Sequence, residues 1–106
     1  MATPESRTHF FDDVVQGLTD QRGRVYGPPL INFARITLVD AVLAQCPDQE
    51  VRHALRMIWV NCCRLVETPD HDDSIHDIAG YARTIAMIHD ERDRRKQQPG
   101  TKAVFD

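Results

Sequence analysis

The sequence predicts an all-α protein, a small four-helix bundle-like domain built on a long antiparallel helical hairpin. Apolar residues in the second half recur at spacings of three and four over two long segments. The β-branched clusters are short, lack period-two alternation and sit inside those helical patterns. Pro47 and Pro69 fall between the periodic segments, where chain breaks are expected.

The first helical pattern lies in Thr8 to Leu18, where Phe11, Val14, Val15 and Leu18 share a face. Thr8 is its candidate cap, Asp12 and Asp13 suit its positive end, and it is expected to end near Thr19. Asp20 to Pro29 reads as a loop, because Gly23, Gly27, Pro28 and Pro29 punctuate it. A second helix is expected from about Leu30 to Ala44, with Phe33, Ile36, Leu38, Val39, Val42 and Leu43 as its apolar stripe. Asp48 is a plausible cap for a third helix over Gln49 to Glu67, which carries Val51, Leu55, Ile58, Cys62 and Leu65 on one face. Thr68 to Asp72 is a short loop. A fourth helix then starts near Asp73 or Ser74 and continues through Ile75, Ile78, Ala82 and Ile85 to about Gln97. Two long helices joined by so short a loop form an antiparallel hairpin, and the first two elements pack across it.

At 106 residues the chain has room for one domain, expected over 1–98, with 99–106 a flexible tail. Apolar residues make up 42% and charged residues 27%, as in an ordinary globular chain. A net charge of -3 gives no reason to expect nucleic acid. The basic residues Arg92, Arg94, Arg95 and Lys96 are interleaved with acids and read as a solvated helix end. No apolar run is long enough for a bilayer, and Met1 to Thr8 lacks the hydrophobic segment of a signal peptide, so a cytoplasmic location is expected. Cys46, Cys62 and Cys63 offer neither a structural disulfide pair nor zinc-ligand spacing and read as packing residues.

Polar residues bordering the apolar faces are the candidate functional groups. Asp73, Asp77 and Tyr81 follow each other at intervals of four beside the Ile78/Ala82/Ile85 stripe. Carboxylates on adjacent turns repel by a few tenths of a kcal/mol, so a divalent metal, an arginine or solvent compensates them. On spacing alone the favoured reading is that Asp73 is an N-cap and Asp77 a solvated or salt-bridged residue. Asn61 and Arg64 share an edge of the third helix, and the hairpin brings Arg64 within reach of Asp73 or Asp77. Such a pair would set the hairpin register or line a pocket for a phosphorylated ligand. Arg22, Arg24 and Tyr26 could present cationic and stacking groups to a nucleotide, or be solvated residues of a connector; no Walker A motif is present. His71, between Asp70 and Asp72, could bind phosphate, and His76 reads as surface. Trp59 and Tyr81 read as core or subunit-interface aromatics.

The segments RGRVYGPPLINF (Arg22 to Phe33), MIWVNCCRL (Met57 to Leu65) and TPDHDDSIHDIAGYA (Thr68 to Ala82) resemble a family of small phage and prophage proteins. These look like distant relatives of the all-α nucleoside-triphosphate pyrophosphohydrolases, the MazG-like superfamily. The resemblance runs from Val14 to Ile88 and implies a dimeric or tetrameric helical bundle in the host cell cytoplasm. It further implies magnesium-dependent hydrolysis of an NTP or dNTP to the monophosphate and pyrophosphate. On this reading Asp73 and Asp77 are the catalytic and magnesium-binding residues. Arg22, Tyr26, Asn32, Asn61, Arg64, His71 and Tyr81 bind the nucleotide or other phosphorylated small molecule. The chain departs from the superfamily pattern: in place of the EExxE motif the second helix has Asp40 alone, and Ser74 stands where the later ExxD motif has its glutamate. The alternative is a non-catalytic phage accessory protein that binds a nucleotide, a signalling molecule or a host protein. A third reading is a structural dimer assembled through residues 90–106.

Overall fold

The computed structural model describes residues 6–98, and every regular element among them is helical. A 3-10 turn over Arg7–Phe10 precedes α1 (Asp13–Tyr26), α2 (Pro29–Thr37), α3 (Asp40–Leu43), α4 (Gln49–Glu67) and α5 (Asp72–Lys96). The expected tail, 99–106, lies outside the described residues.

The start of α1 is capped by Asp12 rather than Thr8: the Val15 N–H donates to Asp12 Oδ1 at 2.9 Å. Gln16 Nε2 donates back to the carbonyls of Thr8 and Phe11, at 3.1 and 2.7 Å, and ties the 3-10 turn to the helix.

The helix does not stop near Thr19, and the expected loop from Asp20 is helical as far as Tyr26. Gly23 costs a helix interior only about 1 kcal/mol, and both prolines lie past the end. Thr19 donates its hydroxyl to the carbonyls of Val15 and Gln16, each at 3.0 Å, so it is absorbed into the helix. The terminator is Gly27, at φ 85 and ψ 175, a conformation open essentially to glycine alone. Pro29 then occupies the first position of α2, where its missing N–H is no loss.

The single helix expected from Leu30 to Ala44 is broken into α2 and α3 at Leu38 and Val39. A continuous helix would use the carbonyls of Arg35 and Ile36 to accept from residues 39 and 40. Here both accept the Trp59 indole N–H, at 3.0 and 3.1 Å. The Arg35 carbonyl also accepts the Leu38 N–H at 3.3 Å, closing the last turn, so the tertiary bond from α4 stands where the next rungs of the ladder would be, at a β-branched stretch (Ile36, Thr37, Val39) with modest helix propensity.

The hairpin is as expected. Its first arm, α4, begins at Asp48, whose Oδ1 accepts the Val51 N–H at 3.1 Å. Its second arm, α5, starts one residue before the expected range, so Asp73 lies inside the first turn and is not the N-cap. That position belongs to His71. At 25 residues α5 is about 37 Å long. It packs along α4, while α1, α2 and α3 also pack on α4, which makes α4 the centre of the fold.

Ion pairs fasten the outer elements to α4: Arg35 with Glu67 at 2.8 Å and Arg56 with Asp40 at 2.7 Å. The far end of α5 is clamped by Arg92, which donates to both oxygens of Asp48, at 2.5 and 3.1 Å, and to Glu50 at 3.2 Å. Cys63 is buried in the α4 wall, and burial pushes its thiol above the ordinary value, which suits a packing residue.

The Arg92 guanidinium, aided by the Val51 N–H, holds the Asp48 carboxyl down from 3.8 to about 2. A depressed carboxyl value stabilises the fold in full above its ordinary value. That contribution is lost as pH falls through the interval from 3.8 to about 2. Asp48→Asn keeps the capping oxygen and removes the titration, so its unfolding midpoint in urea is expected to change less across this interval than that of the native chain. Equal pH dependence in the two proteins would show that the clamp contributes no net stability.

Candidate ligand-binding site

Three helix ends meet around one cavity of about 530 Å³. From α1 come Arg22 and Tyr26, four residues apart and therefore on one face of the last turns. From the start of α2 come Asn32 and Phe33, and from the end of α4 come Val60 and Arg64. Ile36 adds a further apolar side chain to the lining. The backbone arrangement depends on Gly27, which turns the chain from α1 into α2. Thr68 at the end of α4 reinforces it by donating its hydroxyl to the Val25 carbonyl.

Tyr26 is the centre of this site. The Arg64 guanidinium carbon lies 4.3 Å from its ring centroid and that of Arg22 lies 5.6 Å away. His71 meets the same ring edge-on, with centroids 5.8 Å apart and planes at 82°. The His71 Nδ1 is 2.7 Å from the hydroxyl of Ser74, which is fully buried. Arg64 is set by Asn61, whose Oδ1 accepts from Nη1 at 3.5 Å while its Nδ2 donates to the Met57 carbonyl at 2.8 Å. Asn61 is 1% exposed and lies behind Arg64 rather than in the cavity lining.

Neither Arg22 nor Arg64 has a carboxylate partner among the described residues. The fork-like pair expected between Arg64 and Asp73 or Asp77 is not formed: Arg64 turns towards Tyr26 instead. Two polar atoms of the lining are buried without a hydrogen-bond partner, Asn32 Oδ1 and Arg64 Nε. The cavity is therefore cationic at one wall and apolar at another, while those two atoms are shut off from it. Such a place suits an anion carrying a flat polar group.

The remaining predicted residues fall elsewhere. Asp73 and Asp77 are exposed on the first two turns of α5 and form no ion pair among the described residues. No group of three or more His, Cys, Asp or Glu side chains placed to hold a metal occurs among the described residues. Tyr81 is half-buried and lines a separate cleft with Arg52, His53, Arg56 and Thr84. Sequence reasoning passed over Phe33, Ile36 and Val60 as lining residues, because their apolar character reads as core. Ser74 entered only as a candidate helix start and through the resemblance. Its position three residues after His71, within one helical turn, was the available signal.

Comparisons with known proteins agree with the phage-protein part of the resemblance. The chain is 32% identical over 71 residues to the Gene 55 protein of Mycobacterium phage D29. That alignment covers 67% of this chain and 47% of the relative, so the chain spans about half the length of the curated protein it matches. No solved structure matches the chain. No helix among the described residues is long and apolar enough to cross a membrane. Residues 10–89, which include every lining residue of the cavity, match the family described as Domain of unknown function (DUF6378). The chain belongs to that family.

Proposed function

We propose that this protein binds a phosphorylated small molecule of the nucleotide class at Arg22, Tyr26 and Arg64. The observation that carries the reading is the placement of two guanidinium groups against one tyrosine ring, with no carboxylate to neutralise either among the described residues. Like charges brought together on a partly apolar wall favour an anion, and guanidinium groups match phosphate oxygens in a two-pronged fashion. Binding without turnover is the primary reading, because Asp73 and Asp77 form no ion pair with Arg22 or Arg64 and no metal-holding group of side chains occurs among the described residues.

Hydrolysis to a monophosphate and pyrophosphate, as in the MazG-like proteins the chain resembles, is the second reading. What favours it is the position of Asp73 and Asp77 on the first two turns of α5, the helix whose N-cap, His71, meets the Tyr26 ring. Two exposed carboxylates do not make a resident metal site. Magnesium enters this reading as an ion carried by the ligand phosphates, which commonly share it with one or two carboxylates. A host protein is not needed by either reading.

The same geometry speaks for a homo-oligomer. Buried apolar side chains among the described residues are Leu43, Ala54 and Cys63, whereas Leu30 is 84% exposed, Phe10 82% and Phe33 64%. So much uncovered apolar surface on so small a core is characteristic of a subunit face. Calorimetric titration with a panel of nucleoside mono- and triphosphates in magnesium, a coupled assay for released pyrophosphate, and light scattering on the same preparation test these points together. Saturable binding by a dimer or larger assembly without pyrophosphate release is expected. Release abolished by Asp77→Ala would shift the conclusion to the hydrolase, and no binding by any phosphorylated ligand would overturn both readings.

A further inference from the structure

We infer that the face formed by α1 and α2 is covered by the same face of a second copy of this chain, and that the second copy closes the open side of the ligand cavity. Both the assembly and the ligand reading above are presupposed, and this face is where they meet. Phe11, just before α1, and Val14, Val15 and Leu18 on it recur at spacings of three and four. Leu30 and Phe33, three apart, do the same on α2. All six except Val15 are more than half exposed. A stripe of large apolar side chains at helical spacing is the pattern of a covered face, and within one copy nothing covers this one. A groove of about 760 Å³ joins the two elements, lined by Phe11, Val15 and Thr19 from the side of α1 and by Pro28 and Pro29 from the start of α2. Thr19, Gly23 and Pro29 line both this groove and the ligand cavity, so the two are continuous.

Two observations commit the face to a second copy. The six side chains together expose about 650 Å², close to the roughly 800 Å² that one partner buries in a standard interface. The helix α1 is also acidic in its first turn, at Asp13, and basic in its last, at Arg24. It therefore complements itself when two copies lie antiparallel, the arrangement that a two-fold axis across the helix imposes. Phe33 lines the cavity while standing mostly exposed, so the cavity is open beside it. A second copy on this face covers Phe33 and bounds that opening. The two equilibria are then linked: ligand binding tightens the dimer, and dissociation weakens ligand binding by the same factor.

The test is sedimentation of the native chain, Val14→Glu and Leu18→Glu at micromolar concentration, followed by calorimetry with the tightest-binding nucleoside triphosphate of the panel above. Val14 and Leu18 line neither the groove nor the cavity of their own copy, so a change in ligand affinity reaches the site through the partner. The native chain is expected to sediment as a dimer and both variants as monomers of native helical content. Nucleotide affinity in the monomeric variants is expected to be about tenfold weaker. Met87→Glu, at an exposed position of α5, is expected to keep both the dimer and the affinity. A monomeric native chain, or variants that remain dimeric, would overturn the interface. Monomeric variants of native affinity would overturn the closure of the cavity. A native dimer that binds no nucleotide would overturn the ligand reading, while the masses still decide the face. Should both variants fail to fold, Leu30→Glu, on the other element of the same face, takes their place.

Discussion

Replacing Arg64 with alanine is expected to weaken binding of a nucleoside phosphate by about ten- to a hundredfold, the range set by losing a hydrogen bond to a charged group. Arg64 is the more closely seated of the two cations, 4.3 Å from the Tyr26 ring against 5.6 Å for Arg22. It is also the one fixed from behind, through Asn61 and the Met57 carbonyl. Removing it takes away the charge and the stacking partner of Tyr26 in one step. Helical content should be unchanged, because Arg64 forms no ion pair that joins elements among the described residues. Arg64→Lys is expected to recover only part of the loss, since an ammonium keeps the charge but cannot lie flat on the ring or form a fork. Full affinity in Arg64→Ala, measured by calorimetry beside a circular dichroism control, would remove Arg64 from the site.

Gly27→Ala is expected to destabilise the fold by about 2–3 kcal/mol, the upper part of the range for a backbone conformation that only glycine tolerates. Two independent causes act. The backbone sits at φ 85 and ψ 175, where an L side chain is strained. A Cβ built there would also lie 2.8 Å from Glu67 Cδ. Glu67 can withdraw only by loosening its 2.8 Å ion pair with Arg35, which joins α2 to α4. The double variant Gly27→Ala/Glu67→Ala separates the causes, because it relieves the clash and leaves the strain. Chemical unfolding should show the double variant recovering part of the deficit relative to Glu67→Ala alone. A Gly27→Ala chain as stable as the native one would show that α1 and α2 can be joined by another turn.

The hairpin was legible in the sequence because its signals are local. Asp48 and the proline before it mark the start of α4, and its apolar spacing carries unbroken to Glu67, so the predicted and observed limits coincide. The break between α2 and α3 was not legible, because it depends on an indole N–H from a distant helix occupying two carbonyls. The extension of α1 through Gly23 was missed for the opposite reason: glycine punctuation was weighted above the modest cost of one helical glycine. At the site, Arg22, Tyr26, Asn32 and Arg64 could be named from the resemblance, and the fold brings these four to one cavity. The direction of Arg64 could not be read, since spacing places it near both the Asp73 edge and the Tyr26 edge. Only the packing of α1 against α4 decides between them. Tyr81 follows Asp77 by one turn in sequence but lines another cleft, a reminder that a shared helix stripe is not a shared site.

The most direct test is a nuclear magnetic resonance titration of the isotope-labelled chain with a nucleoside triphosphate. The expected result is a set of saturable shifts centred on Arg22, Tyr26, Asn32 and Arg64. Shifts confined to the cleft around Arg52, His53 and Tyr81, or no saturable shifts at all, would contradict the account.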